Sequence, residues 1–249
     1  MTRATTTQPG PILGLEALQA TAQGGVSVIV PAYREAENLP ELIARLDALR
    51  LDIDLIIVND ESGDASADAV ASTKKPWARI STRTTERGLS SAVLHGLTLA
   101  KHPYLVCMDA DLSHPPEAIP KLIKALENGA DFAVGSRYIP GGSTDDKWTF
   151  FRKINSMVAT ILARPLTNLK DPMSGFFALR RDTFNKAAKL NPVGYKIGLE
   201  LLVKCGCKNV TEVPIHFASR KRGESKLTLS EQIKYLRHLA RLFTYKLRA

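Results

Sequence analysis

The chain has 249 residues, 44% of them apolar and 24% charged, the balance of a globular protein able to bury a sizeable core in one α/β domain. Its three cysteines, Cys107, Cys205 and Cys207, are odd in number and lack paired metal-ligand spacing, which excludes a zinc site and a disulfide framework and fits a reducing compartment. The formal net charge is +9, and residues 215–249 hold nine Lys or Arg against two Glu, so a basic tail follows a nearly balanced body and points to a polyanionic partner at that end.

Residues 1–24 are rich in Thr, Gln, Gly and Pro, lack the apolar core of a signal peptide and read as a flexible leader. No run of about 18 uncharged apolar residues follows, so no transmembrane helix is expected. The fold starts at Val26 with a buried strand ending at Pro31, and Leu39, Leu42, Ile43, Leu46 and Leu49 then recur at helical spacing over 38–49. A second strand over 54–58 stops at Asn59-Asp60-Glu61-Ser62-Gly63, and a helix follows over 65–73. A weak strand over 79–82, a helix over 89–100 and a strand over 104–108 come next, then a helix over 116–128 and a strand over 131–134 that runs into Gly135-Ser136-Arg137. Residues 138–146 read as a loop and 150–162 as a helix. The loop Asp171-Pro172-Met173-Ser174-Gly175 precedes a strand over 176–179, helices over 183–190 and 197–204, and a strand over 210–213. The alternation predicts a mostly parallel, doubly wound, Rossmann-like sheet flanked by helices over residues 25–226.

In such a sheet ligands collect outside the carboxyl ends of the strands. Asp109 and Asp111, one residue apart after the strand over 104–108, are therefore expected to face a cleft. Hard oxygen donors at that spacing suit Mg²⁺ or Mn²⁺, which keeps its other positions for water and substrate phosphates. After the first strand come Pro31, Ala32, Tyr33 and Glu35, and after the second Asp60, a ring and carboxylates suited to a nucleoside; Ser62 and Asp64 read equally well as helix caps. No Gly-x-Gly-x-x-Gly follows the first strand and no P-loop is present, which argues against a dinucleotide dehydrogenase and a P-loop kinase. His95, His102, His114 and His216 lack paired spacing and read as surface or capping residues.

VSVIVPAYREAENL, IIVNDESGDAS, VCMDADLSHPPE, GSRYIPGG, DPMSGFFALRR and SRKRGESKL occur in that order. The chain thereby resembles the inverting family 2 glycosyltransferases, and within them the dolichol-phosphate or polyprenol-phosphate mannose synthases. The resemblance implies a GT-A domain, and guanosine of GDP-mannose held around Pro31, Ala32, Tyr33, Glu35 and Asp60. It implies a Mg²⁺ or Mn²⁺ held against the diphosphate by Asp109 and Asp111, with Asp109, Ala110 and Asp111 all in contact with the nucleotide sugar. Ser113 stands where relatives often carry Gln, and a hydroxyl reaches less far than an amide. Arg137 and Arg152 match positions that meet donor or acceptor phosphate, and Arg220 and Lys226 a loop that grips phosphate. The expected reaction is a single displacement giving polyprenyl phosphate β-mannose and GDP, with Asp109, Asp111 and Arg137 as its catalytic residues.

Thr228 and Glu231 have capping-box spacing, and the helix after them places Ile233, Leu236, Ala240, Phe243 and Leu247 on one face, with Lys234, Arg237, His238 and Arg241 mostly away from it. Residues 227–249 are thus expected to lie in a membrane interface or to pack on the sheet, with 150–162 as a second candidate for the membrane. The resemblance implies a peripheral place on the cytoplasmic face of a membrane, a membrane-anchoring subunit or a further transmembrane domain, and no nucleic-acid partner. The same fold serving UDP-glucose is the near alternative; a non-enzymatic nucleic-acid-binding protein, motivated by the positive charge, lacks a recognisable binding module.

Overall fold

The computed structural model describes residues 24–60, 63–145, 150–191, 193–194, 196–219 and 229–248, the side chains of 150–155 and 229–231 excepted. Its elements are β1 (Val26–Ala32), α1 (Leu39–Asp47), β2 (Ile53–Asn59), α2 (Ser66–Ser72), β3 (Ala78–Thr82), α3 (Leu89–Leu99), β4 (Tyr104–Cys107), α4 (Ile119–Glu127) and β5 (Phe132–Ser136). There follow β6 (Ser143–Thr144), α5 (Phe150–Ala163), β7 (Phe177–Arg180), α6 (Arg181–Asn185), α7 (Ile197–Lys204), β8 (Val210–Pro214), β9 (His216–Phe217) and α8 (Leu229–Arg248).

Among the described residues one sheet has the order β3-β2-β1-β4-β7-β5-β8, and β6 pairs with β9 in a separate ribbon. All pairs of the large sheet are parallel except those of β7, which runs antiparallel to both β4 and β5. The expected mostly parallel sheet is present, with one reversed strand inside it.

Strands that are apolar throughout bury both faces, and this sheet uses both. Val28 and Val30 pack with Leu39, Leu42, Ile43 and Leu46 of α1 and with Leu122, Ile123 and Leu126 of α4. The alternate residue Ile29 points the other way, into a cluster with Val93 and Leu97 of α3 and Leu201 and Leu202 of α7. On that side Gly96 lets α3 come close: a Cβ there would lie 2.5 Å from Ile29 Cγ2.

Two boundaries and the packed face of one helix differ from the sequence reading. The helix expected over 183–190 ends at Asn185, because Ala188 N–H donates to Lys204 O (3.1 Å) instead of continuing a helical turn. Part of the expected loop 138–146 pairs as β6, Ser143 N–H donating to Ile215 O (3.0 Å). The α8 helix packs through Leu239 and Leu242 against Ala163, Leu166, Met173 and Leu199, with Tyr235 alongside. Most of the apolar stripe expected there is a different side of the helix, roughly a third of a turn round, and stays outside, Leu236 being 51% and Leu247 87% exposed, while Phe243 at its edge packs against the docked cluster. Met157 and Ile161 of α5, each 58% exposed, form another uncovered apolar patch. The two helices adjoin, Tyr235 OH donating to Ala159 O (2.7 Å) and Lys246 Nζ to Pro165 O (3.0 Å). Among the described residues no helix is long and apolar enough to cross a membrane.

Candidate active site

The reversal of strand order between β1 and β4 makes a crevice at their carboxyl ends, where ligands of open α/β sheets bind. The chain leaves β1 through half-buried Pro31, buried Ala32 and half-buried Tyr33. Glu35 then holds the turn: Asn38 Nδ2 donates to Glu35 Oε2 (2.6 Å) and Asn38 N–H to Glu35 O (2.9 Å). Asp60, after β2, donates its N–H to Ala32 O (3.3 Å), joining the two strand ends. Its carboxylate is buried and receives Arg83 through Nε (2.7 Å) and Nη2, and Gly88 N–H at 2.8 Å. Asp60 is thus where the sequence reading puts it, and it is also the counter-ion of a buried arginine. Asp64 caps α2, accepting from Ser66 N–H (3.3 Å) and Oγ (2.7 Å), and receives Ala36 N–H at 3.1 Å.

After β4, Asp109, Ala110 and Asp111 form the cleft floor. The Asp109 side chain is 28% exposed, whereas Ala110 and Asp111 are buried. Ser113 donates both its N–H (3.1 Å) and its hydroxyl (2.5 Å) to Asp111 Oδ1. Leu112 between them has φ +63°, an uncommon conformation for leucine that the tight turn imposes. Ser113 is itself fully buried, so its hydroxyl orients the second aspartate. Of the reading of His114 as a surface or capping residue, the surface half is wrong. His114 is buried, stacks on Phe176 with ring centroids 5.2 Å apart, meets Phe217 edge-on at 5.3 Å, and accepts Asp109 N–H at Nδ1 (3.1 Å). Burial lowers its pKa against the pull of Asp109 and Asp111, so the ring is held neutral and keeps that acceptor nitrogen.

Arg137 follows β5 and is fixed on three sides. Its N–H (3.0 Å) and Nε (2.7 Å) donate to Asp171 Oδ2, its Nη2 donates to Asp171 Oδ1 (2.7 Å), and the guanidinium lies over the Tyr138 and Phe217 rings. Burial works against its charge, but the Asp171 hydrogen bonds outweigh it and leave the pKa raised. Asp171 is fully buried, and Glu212 of β8 in turn accepts Lys170 N–H (2.8 Å) and Asp171 N–H (3.0 Å). Lys196, at the start of α7, donates Nζ to Met173 O (3.1 Å), and burial followed by the charge of Arg137 lowers its pKa to about 8.

Asp60, Asp109, Asp111, Ser113 and Arg137 therefore follow the carboxyl ends of β2, β4 and β5, on one edge of the sheet. Arg152 lies on α5 with its side chain outside the described residues, and Arg220 and Lys226 lie outside them as well. Arg83, His114, Asp171, Lys196 and Glu212 escaped the sequence reading. The available signal was Asp171-Pro172-Met173-Ser174-Gly175, a polar turn just before a strand that the structure brings against Asp109 through Gly175.

The profile of the family described as Glycosyl transferase family 2 matches residues 27–187. The chain belongs to glycosyl transferase family 2. This family 2 glycosyltransferase is 46% identical to a dolichol-phosphate mannosyltransferase of Pyrococcus furiosus, over 89% of this chain and 64% of that protein, so it spans less than two thirds of that relative's length. It is 44% identical to a protein of the same name from Saccharomyces cerevisiae, over 88% of this chain and 87% of that one. A polyprenol monophosphomannose synthase of Mycolicibacterium smegmatis is 34% identical over 81% of this chain and 80% of its own. Among solved structures, glucosyl-3-phosphoglycerate synthase from Mycobacterium tuberculosis in complex with Mn²⁺, UDP and glucosyl-3-phosphoglycerate superposes with a TM-score of 0.67 at 20% identity, covering 97% of this chain and 86% of that one. The fold of this family 2 enzyme is accordingly the GT-A fold, in a single α/β domain with a C-terminal helix.

Proposed function

We propose that the chain transfers mannose from GDP-mannose to a polyprenyl phosphate of the dolichyl type with inversion, yielding polyprenyl phosphate β-mannose and GDP. The observation that carries this reading is an acidic pair after β4 and a clamped guanidinium after β5, the two strands that flank β7, in a chain 44–46% identical to proteins named dolichol-phosphate mannosyltransferase.

Pro31, Ala32, Tyr33, Glu35 and Asp60 line the end of the crevice suited to the nucleoside. Asp109 and Asp111 supply hard carboxylate oxygens, the donor type that Mg²⁺ and Mn²⁺ take. Among the described residues no group of three or more His, Cys, Asp or Glu side chains is placed to hold a metal, so a cation here draws further ligands from diphosphate and water. When bound, such a cation offsets the charge that gathers on the departing diphosphate. Ser113 keeps Asp111 in one rotamer for that purpose.

The acceptor brings its own nucleophile. A phosphate monoester has its second ionisation near pH 6, so its oxygen attacks C1 of the mannose without a general base. What the protein supplies is alignment and positive charge. Arg137, set by Asp171, presents a planar cation beside the acidic pair, and Arg152, Arg220 and Lys226 are assigned to the same phosphates. One displacement inverts the anomeric carbon.

A long isoprenoid has to be met at a bilayer. The uncovered stripes of α5 and α8, with Lys234, Arg237, Arg241 and Arg248 on a further side of α8, suit a helix pair lying in an anionic membrane interface. We assign residues 25–226 to the transferase domain, 227–249 to the interface, and the enzyme to the cytoplasmic face of a membrane, alone or with an anchoring subunit or domain. The deciding experiment incubates the protein with labelled GDP-mannose and a polyprenyl phosphate, with and without Mn²⁺. An organic-soluble mannosylated product supports the assignment. Its absence, or equal use of UDP-glucose, overturns it.

A further inference from the structure

One buried cation in the cleft has no use in the mechanism above. Lys196 is half-buried, with the ammonium itself deeply enclosed, in the field of Arg137, Asp171 and Asp109. Among the described residues its hydrogen bond goes to a neutral acceptor, Met173 O at 3.1 Å, and no carboxylate lies within 4.0 Å. An ammonium has three donors. A buried charge is costly unless it is paired, and a single carbonyl is not a counter-ion. The nearest acid, Asp171, is already engaged by Arg137 at both oxygens.

The backbone on either side of this ammonium is anchored. Lys196 opens α7, whose Glu200 N–H donates to Lys196 O (3.4 Å). Met173 belongs to the turn that sets Gly175 against Asp109. The side chain is therefore held in place in the field of Asp109, with its hydrogen bond on a carbonyl and with Asp171 committed to Arg137, so the ammonium has no counter-ion of its own among the described residues. That is the electrostatic condition of a site awaiting an anion.

We propose that Lys196 is a further substrate-binding residue, whose ammonium takes a phosphate oxygen beside Arg137 at the point where the sugar changes carriers. The proposal rests on the transfer reading above. The phosphate belongs either to the acceptor monoester or to the donor diphosphate, the chemistry at the ammonium being the same.

The test compares wild type with K196M, K196Q and K196R. Steady-state KM and kcat are measured against GDP-mannose and against farnesyl phosphate, and binding of GDP and of farnesyl phosphate is measured separately by calorimetry, without turnover. A lost charge-assisted hydrogen bond is expected to weaken one of the two ligands about ten-fold or more in K196M and K196Q, with K196R recovering most of it. Weakening confined to farnesyl phosphate places the contact on the acceptor, and weakening confined to GDP or GDP-mannose places it on the donor. Unchanged KM and unchanged binding for both ligands in a neutral variant that melts like wild type overturn the proposal, even if kcat falls. K196Q keeps a donor for Met173 O and stands in if K196M does not fold. Should wild type form no product, the transfer reading fails while the calorimetric arm still decides the role of Lys196.

Discussion

Glu212 Oε1 accepts the N–H of Asp171 at 3.0 Å while its Oε2 accepts that of Lys170 at 2.8 Å, so the carboxylate that clamps Arg137 is itself clamped from the adjacent strand. Replacing Glu212 by Gln turns one of these acceptors into a donor facing an N–H. Hydrogen bonds to charged groups contribute about 1.5–3 kcal/mol. A urea titration of E212Q is therefore expected to show a loss of about 1–3 kcal/mol, with a raised KM for the lipid phosphate because Arg137 is less well placed.

Asp171→Asn removes the counter-ion instead of its support. Breaking one side of a buried ion pair costs about 3–5 kcal/mol, since the remaining charge stays buried. D171N is expected to melt well below wild type and to lose transfer activity more than 100-fold, an order-of-magnitude figure for a mispositioned phosphate-binding cation. Near-normal activity in a folded D171N would show that Arg137 needs no such clamp.

Ser113→Ala leaves the charge of the acidic pair intact and frees the Asp111 rotamer. The expected result is a several-fold higher Mn²⁺ concentration for half-maximal activity, the scale on which outer partners tune metal binding being about 10–100-fold. Stability should change by about 1 kcal/mol, the worth of one hydroxyl bond. Chelation of divalent cations should abolish transfer in both proteins.

Lys196 gives stability a pH dependence of known sign. Its pKa in the folded chain is lowered to about 8, against about 10.4 for an unfolded lysine. Between those values the unfolded chain binds more protons, so stability rises with pH across that window. K196M lacks the term. The melting temperature of wild type is expected to gain on that of K196M between about pH 8 and about pH 10, and a constant difference would contradict the burial of the ammonium.

On the sheet, Gly96→Ala would push a methyl to 2.5 Å from Ile29 Cγ2. Overpacking of this kind costs about 1–3 kcal/mol, and Ile29→Val in the same chain should return part of it. On the face proposed to meet a membrane, Leu236→Glu sits on an exposed position and should leave the melt unchanged while abolishing sedimentation with anionic vesicles. Leu242→Ala, three residues into the docked stripe's far end, should cost about 2–5 kcal/mol.

The positions of the residues at strand exits were legible in the sequence because each of them follows a mainly apolar strand. Asp60, Asp109 and Arg137 could be placed from local order alone. Asp171 could not, because it precedes its strand, and its partner is 34 residues away at another strand end. Lys196 comes from the start of a helix, a position that carries no periodic signal. His114 was misjudged because nothing local marks the Phe176 and Phe217 rings that bury it. The side of α8 that docks was equally hidden. Leu239 and Leu242 alternate with Ile233, Leu236 and Leu247 along a helix that is apolar on more than one side, and only tertiary contact selects between them.

A strand laid against its neighbours' direction presents its entrance where they present their exits. Because β7 runs this way between β4 and β5, the segment feeding it comes to the same edge as the exits of β4 and β5, and there Arg137 and Glu212 hold it at Asp171. The wall carrying Asp171 and the floor carrying Asp109 thus meet from opposite chain directions, and the buried Leu166 and Leu169 fix the approach of the one as Ser113 fixes the turn of the other.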